Sequence, residues 1–498
     1  MMPAEPVPAT QPPAPDTTRL FFRVFPSIVL PMFLAAIDTT IVATALPNMA
    51  ASLGDVERVS WVVVSYLMAT TIAAAVHGRL GDALGRRRLL LISLVVFIAA
   101  SVGCALAPTM LWLVAARVLQ GIGGGGLMTL SQALVGEVVP PRERGRYQGY
   151  MASVFMIAST FGPVAGGWLT QRFGWGSVFW VNVPLGLVAV VMAMRLPARP
   201  GTGGVRFDWL GLALFTLFVV PLVLALEQAQ RISLAVAPGI AALTALSIAA
   251  LWLLLQQERR SSFPLIPVNL LRQSAIWRAD AMGACVGATI VSSVTFMPIY
   301  LQVVRGASPG EVGLLLLPLT AGIAAGSILT GRLISRTGRT AIFPCIGQAL
   351  VTACMLFMAL GGAYVPVARL PWLFLVLAMA IGTTMPVVQV TVQTMAGPKN
   401  LGAASASVQF SRSIGAALGT AVVGAVLFAV LAVRDASVAS MFADIVERGP
   451  AVLDSLTAEA RASLAVQIAG AFRAAFVAIA CFSAAAMALA WSLPMRRL

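Results

Sequence analysis

Gly78-Arg79-Leu80-Gly81-Asp82-Ala83-Leu84-Gly85-Arg86-Arg87-Arg88 lies between two long apolar runs. Such a stretch reads as a tight loop joining two membrane helices. Its glycines permit a sharp backbone reversal that a residue with a Cβ resists, and its arginines pin it to the cytoplasmic face. A weaker copy, Gly331-Arg332-Leu333-Ile334-Ser335-Arg336-Thr337-Gly338-Arg339, stands between apolar runs in the second half. Two copies of one loop in two halves point to an internal duplication of a helical membrane unit.

The composition agrees. Hydrophobic residues make up 59% of the 498 and charged residues only 10%, with a mean hydropathy of +0.92, against about 25% charged in soluble domains. The chain reads as an all-α membrane protein, long enough for roughly fourteen spans of about 20 residues. A formal charge of +15 would suggest a nucleic-acid partner in a soluble protein. Here half of the arginines gather in basic stretches at 79–88, 142–146, 195–206, 258–272 and 332–339. That is the positive-inside pattern, so the partner is the lipid bilayer, with no nucleic acid, and both termini fall on the cytoplasmic side. Lys399 is the only lysine and follows Pro398, which rules out a phosphate-binding P-loop. Cys104, Cys285, Cys345, Cys354 and Cys481 match no metal template and read as small packing residues. Residues 1–24 are Pro/Ala-rich and read as a disordered cytoplasmic tail. A signal peptide does not fit, because the apolar run that follows is too long and carries an aspartate.

Several polar residues stand inside the apolar runs. Asp38, in a first span from about Phe25 to Pro47, would cost about 2.5–3.5 kcal/mol on insertion scales and is a functional candidate by default. The alternative is a packing hydrogen bond to a nearby Thr or Arg. Arg117, within a fourth span of about 111–132, needs an anionic partner or a water-filled cavity, or else snorkels. Gly121, Gly123 and Gly126 satisfy GxGxxG, but no strand precedes them, so the dinucleotide reading fails. Gly162-Pro163-Val164-Ala165-Gly166-Gly167 predicts a kinked fifth span in close contact with a neighbour. Tyr66 and the lone His77 read as structural. Phe296, Met297 and Tyr300 in a ninth span either line a soft pocket or face lipid. Gln389 and Gln393 are one helical turn apart in a twelfth. Glu227 is placed near the outer end of a seventh span. Asp280 is placed close enough to the surface to be solvated. A long mixed-charge loop, about 434–470, is expected outside the membrane.

At these motifs the chain resembles the major facilitator superfamily, whose second and third helices are joined by the loop pattern of Gly78–Arg88. Asp38-Thr39-Thr40-Ile41-Val42-Ala43-Thr44-Ala45-Leu46-Pro47 is similar to the first-helix signature of its fourteen-helix drug:proton antiporter branch. Arg117 with Gln120-Gly121 resembles the fourth-helix motif, and Gln409–Gly419 a hallmark of the thirteenth. The fifth span matches the antiporter motif GxxxGPxxGG, with Ala158 in place of the first glycine. The resemblance covers nearly the whole chain after residue 24. It implies two six-helix bundles, 25–195 and 275–498, joined by a segment 196–274 with two extra helices, around a central cavity that works by alternating access.

The activity it implies is efflux of small lipophilic or cationic compounds, multidrug type, by a monomer in a bacterial-type inner membrane. The proton gradient drives it, with no cofactor. An exporter of an endogenous metabolite, siderophore or lipid precursor would use the same fold and motor. One histidine, no Cys/His cluster and no nucleophile–base pattern argue against an intramembrane enzyme. On this reading Asp38 and Arg117 couple protons, since burial disfavours a charged carboxyl. Gly78, Asp82, Gly85, Arg86 and Arg87 form a gate, with Asp82 meeting the start of the thirteenth helix near Asn400 to Ser405. Gly162, Pro163, Gly166 and Gly167 form the antiporter motif. Tyr66, Gln120, Phe296, Met297, Tyr300, Gln389 and Gln393 are candidate cavity residues, and Glu227 and Asp280 secondary acids.

Overall fold

The computed structural model describes residues 24–55, 58–201, 203, 207–228, 237–261, 264–265, 268–448 and 458–497. The expected tail at 1–23, part of the 195–206 stretch and the middle of the 434–470 loop lie outside the described residues. The first half runs α1 (Phe25–Ile41), α2 (Leu46–Leu53), α3 (Trp61–Leu84), α4 (Arg86–Ala105), α5 (Met110–Val138), α6 (Pro141–Phe173), α7 (Ser177–Trp180) and α8 (Asn182–Ala193). Next come α9 (Trp209–Gln228), α10 (Ala237–Arg260) and the short α11 (Val268–Leu271). The second half is α12 (Ser274–Ile299), α13 (Pro309–Thr337), α14 (Ile342–Gly361), α15 (Leu370–Gly382), α16 (Thr384–Ala396), α17 (Leu401–Arg434), α18 (Ala436–Arg448) and α19 (Ala458–Trp491).

Local sequence sets the ends of these helices. Thr109 caps α5 by accepting from Trp112 N at 3.2 Å. Ser308 and Glu311 form a reciprocal capping box at the start of α13. Among the described residues thirteen helices are long and apolar enough to cross a membrane, and Ser177–Ala193 is a shorter apolar stretch where the sixth span is expected. That stretch breaks at Val181 between α7 and α8. Pro184 has no N–H to offer the Trp180 carbonyl one turn back, which weakens the helix at this point.

Two expected loops are helical instead. The Gly78–Arg88 stretch belongs to α3 as far as Leu84, and the reversal falls on Gly85 alone, at φ 95° and ψ 126°. In the second copy α13 runs to Thr337 and stops on Gly338 at φ 68°. Charged side chains at a helix end reach water or pair without unwinding it, so a single glycine suffices for each turn. The basic stretch 142–146 is likewise the first turn of α6, with Pro141 at the position where a missing N–H costs nothing. Part of the expected 434–470 loop is also ordered. There α18 buries Phe442 between Phe428 and Phe472, with centroids 5.2 and 6.3 Å away.

Buried side chains cluster by half. One cluster draws on Ile276 to Leu493 with Met156, and two others lie between Phe25 and Leu196. Leucines and tryptophans elsewhere stay exposed, among them Trp209, Trp252 and Leu314, as expected of a lipid-facing surface. The extra pair α9 and α10 is joined by Ser247 Oγ donating to Phe218 O at 2.9 Å. It sits at the seam between halves, with Phe215 5.2 Å from the ring of Phe410 on α17 and clustered with Ala75 of α3.

The halves meet at their arginine-rich end. There Gln393 Nε2 donates to Gln132 O across the seam at 2.9 Å, and α6 presses against α13 so tightly that a Cβ on Gly149 would lie 2.6 Å from Ser327 O. Val164 and Gly167 continue that face of α6 toward the opposite end. Val164 is 71% exposed, and a Cβ on Gly167 would meet nothing within 4 Å among the described residues. The molecule is closed at the arginine-rich end and parted at the other.

Candidate functional site

The first site is a charge pair sealed inside the first half. Asp38 on α1 and Arg117 on α5 have side chains 0% and 1% exposed, with Arg117 Nη1 2.5 Å from Asp38 Oδ2. Asp38 Oδ1 accepts from Gln120 Nε2 at 2.9 Å and from Asn182 Nδ2 at 2.8 Å. All three neighbours donate, so the carboxylate is held as the acceptor of a charge-assisted network. Arg117 in turn donates to Gln120 Oε1 at 2.7 Å and to Val62 O at 3.0 Å, and its guanidinium lies 4.0 Å from the Tyr66 ring centroid. Gln120 also reaches Ser101 Oγ at 2.8 Å. Tyr66 and Gln120, proposed as cavity residues, are in this conformation parts of the charge network.

Asn182 and Ser101 carry no motif, and the sequence reading passes over both. The signal in Asn182 is its type: an amide inside an apolar run, two residues before a proline, marks a polar contact within the membrane. The break at Val181 starts α8 at Asn182, one of the side chains that meet Asp38.

The second site closes the seam. Asp82, near the end of α3, accepts from Gly402 N at 2.9 Å and Ala403 N at 3.1 Å, in the first turn of α17. Arg86 Nη2 holds the same carboxylate at 2.6 Å and also reaches Pro398 O at 3.2 Å. The carboxylate therefore meets both the free N–H groups and the positive end of the α17 dipole. Close approach makes this possible: a Cβ on Gly78 would sit 2.6 Å from Gly402 O. Glu137, absent from the sequence candidates, anchors Arg86 at 2.5 Å and lies 3.6 Å from Arg199. Gly85 makes the turn into α4. Arg87 points elsewhere and donates to Met194 O at 2.6 Å, within its own half.

The remaining candidates are distributed more widely. Gly162 and Gly166 fit α6 against Thr40, Ile41 and Thr44 of the first span, Pro163 lies within α6, and Gly167 faces open space. Thr40 Oγ1 also donates to Ala158 O at 3.2 Å, at the position where the motif has glycine. Gln389 and Gln393 converge on Ser405 Oγ at 3.1 and 3.2 Å within the second half, and Gln393 also bonds across the seam to Gln132 O. Phe296, Met297 and Tyr300 are buried in the second half's core, Tyr300 edge-on to Phe472 and Phe476. Glu227 lies half-buried in the last turn of α9. Asp280 corrects an expectation: it is 5% exposed rather than solvated. Helix α17, distant in sequence, packs along α12, and Asp280 faces a cavity that Phe215 of α9 and Phe410 of α17 also line.

Known proteins match this architecture. Residues 28–420 match the family model of the Major Facilitator Superfamily. An uncharacterized MFS-type transporter of Mycobacterium tuberculosis is 37% identical over 403 residues, which is 81% of this chain and 59% of that protein's length. Multidrug transporter protein MdtP of Bacillus subtilis is 30% identical over 446 residues, 89% of this chain and 80% of that one. The fold is that of the crystal structure of the human organic anion transporter MFSD10, with a TM-score of 0.65 at 15% identity, covering 96% of this chain and 100% of that one. With two halves closed on one end, a sealed charge pair in the first and a buried carboxylate contact between them, this multi-pass membrane chain belongs to the Major Facilitator Superfamily of transporters.

Proposed function

We propose that the protein exports small lipophilic or cationic compounds in exchange for protons, as a multidrug antiporter of a bacterial-type cytoplasmic membrane. The observation that carries this reading is the Asp38–Arg117 pair, buried within a span and held at 2.5 Å. A proton arriving on Asp38 cancels the charge that Arg117, Gln120 and Asn182 hold. Arg117 then loses its counter-ion, and the packing of α1 against α5 has a reason to change. Such a difference between states is what coupling requires, since a ligand moves an equilibrium only through differential affinity. The arginine-rich end is cytoplasmic by the positive-inside rule. The conformation described is then outward-facing, and the Asp82 contact is its latch. The protein acts as a monomer and needs no cofactor beyond the gradient. Similarity to a relative named as a multidrug transporter, at 30% identity, supports this choice of cargo.

One observation favours a second reading, export of a metabolite that carries an acidic group. Arg412 on α17 holds Gln409 at 2.5 Å and lies 5.4 Å from the Phe155 ring of the first half. It makes no ion pair among the described residues. Uptake of cationic and anionic dyes into everted vesicles, with and without a pH gradient, separates the two. Gradient-dependent accumulation of cations is expected. Equal accumulation with and without the gradient overturns proton exchange, and a preference for anions selects the second reading.

A further inference from the structure

Where the extra helices meet the second half there is a cavity of about 290 Å³. Phe215 of α9, Leu265 of the linker, Trp277 of α12, Val392 of α16 and Phe410 of α17 give it an apolar, partly aromatic wall. The charged residue lining it is Asp280, and no arginine or lysine does so among the described residues. Neither oxygen of Asp280, a residue 5% exposed, has a hydrogen-bond partner among the described residues. Ser407 lines the same space close beside the carboxylate, and its single hydroxyl proton goes to Ala404 O at 3.0 Å.

This is the opposite of the other two buried aspartates. Asp38 gathers three side-chain donors, and Asp82 an arginine and two amides. Burying a carboxylate without a donor is costly, and the cost is relieved by a cation placed against it. A small inorganic cation would need several oxygen ligands, which this wall does not supply. An organic cation with its charge spread over apolar surface suits it better, taking Asp280 as counter-ion and Phe215 and Phe410 as π partners, while the Trp277 ring already has the Arg278 guanidinium 5.3 Å from its centroid.

We propose that this cavity is an accessory binding site for a monovalent lipophilic organic cation, separate from the Asp38 network and walled by the extra helices. Entry is past Trp277, which is 45% exposed. The pair α9–α10 thereby gains a role, since Phe215 and Leu265 are theirs or their linker's. Glu258 at the end of α10 fixes that wall by accepting from Leu265 N at 3.2 Å. The site also touches the latch, because Ala403 both lines the cavity and donates to Asp82. The proposal rests on the reading of the protein as an exporter of cations.

The test uses the full chain in lipid nanodiscs and two ions of one shape and opposite charge, tetraphenylphosphonium and tetraphenylborate. Asp280→Asn is expected to weaken the phosphonium about tenfold or more, as loss of a charged contact does, and to leave the borate unchanged or tighter. Ala281→Phe, which fills the cavity, should weaken the phosphonium as well. Unchanged phosphonium affinity in Asp280→Asn, or equal loss of both ions, overturns the site. A readout on the unmutated chain guards against misfolding: dicyclohexylcarbodiimide should label Asp280, and saturating phosphonium should block it. Labelling that phosphonium does not affect also overturns the site. Gradient-driven phosphonium export with Asp280 unprotected would remove the site and leave the exporter. Protection without export would do the reverse.

Discussion

Asp38 and Arg117 are each expensive inside a membrane and affordable only together. Removing one partner of a buried pair typically costs about 3–5 kcal/mol, because the other charge is left behind. Arg117 has insurance against this in Val62 O, Gln120 Oε1 and the Tyr66 ring. Asp38→Asn also keeps an acceptor oxygen for Gln120 or Asn182. The variant is therefore expected to fold, to exchange substrate down its gradient, and to lose pH-driven uptake to the level of vesicles without protein. Undiminished proton-driven uptake by Asp38→Asn would transfer the coupling role to another acid.

At the scale of elements, the decisive contact is the end of α3 against the start of α17. A carboxylate at a helix N-terminus contributes about 0.3–1 kcal/mol, and up to about 2 when partly buried. Asp82, with two amides of α17 and Arg86, belongs to the upper part of that range. Asp82→Asn should shift the closing equilibrium about 5- to 30-fold toward the open arginine-rich end. Spin labels at the exposed Arg88 and Lys399 positions would read this as a longer distance, with slower transport and nearly intact substrate affinity. Lost affinity at an unchanged distance would make Asp82 part of the substrate site and not a latch.

For the whole molecule, parity and charge make one statement. The turns at Gly85 and Gly338 and the basic ends of α6, α8 and α10 share a side, and the C-terminal residues join them there, with Thr340 N donating to Arg496 O at 3.1 Å. Cysteines introduced at Arg87 and Arg434 should be labelled from opposite faces of the membrane, the first from the cytoplasm and the second from outside. Labelling of both from one face would overturn the topology.

The sequence by itself determined the class, the run of apolar spans and the grouping of basic stretches between them. Hydropathy and charge act residue by residue against the bilayer, so no partner need be known to read them. It also marked Asp38 and Arg117, because polar groups inside apolar runs are conspicuous, and Asp82, because it stands in the Gly/Arg motif between two such runs. Tertiary structure decided what meets them. Asn182 reaches Asp38 only because α8 packs on α1, and Glu137 matters only because α5 ends beside Arg86. Gln393 looks like a cavity residue in one dimension and in three bonds across the seam to Gln132. The loop at Gly78–Arg88 proved to be helix up to one glycine, since helix length is set by capping and packing as much as by composition. Asp280 shows the limit most clearly: one turn into a span, its sequence neighbours leave it near water, and helices far away in the chain enclose it.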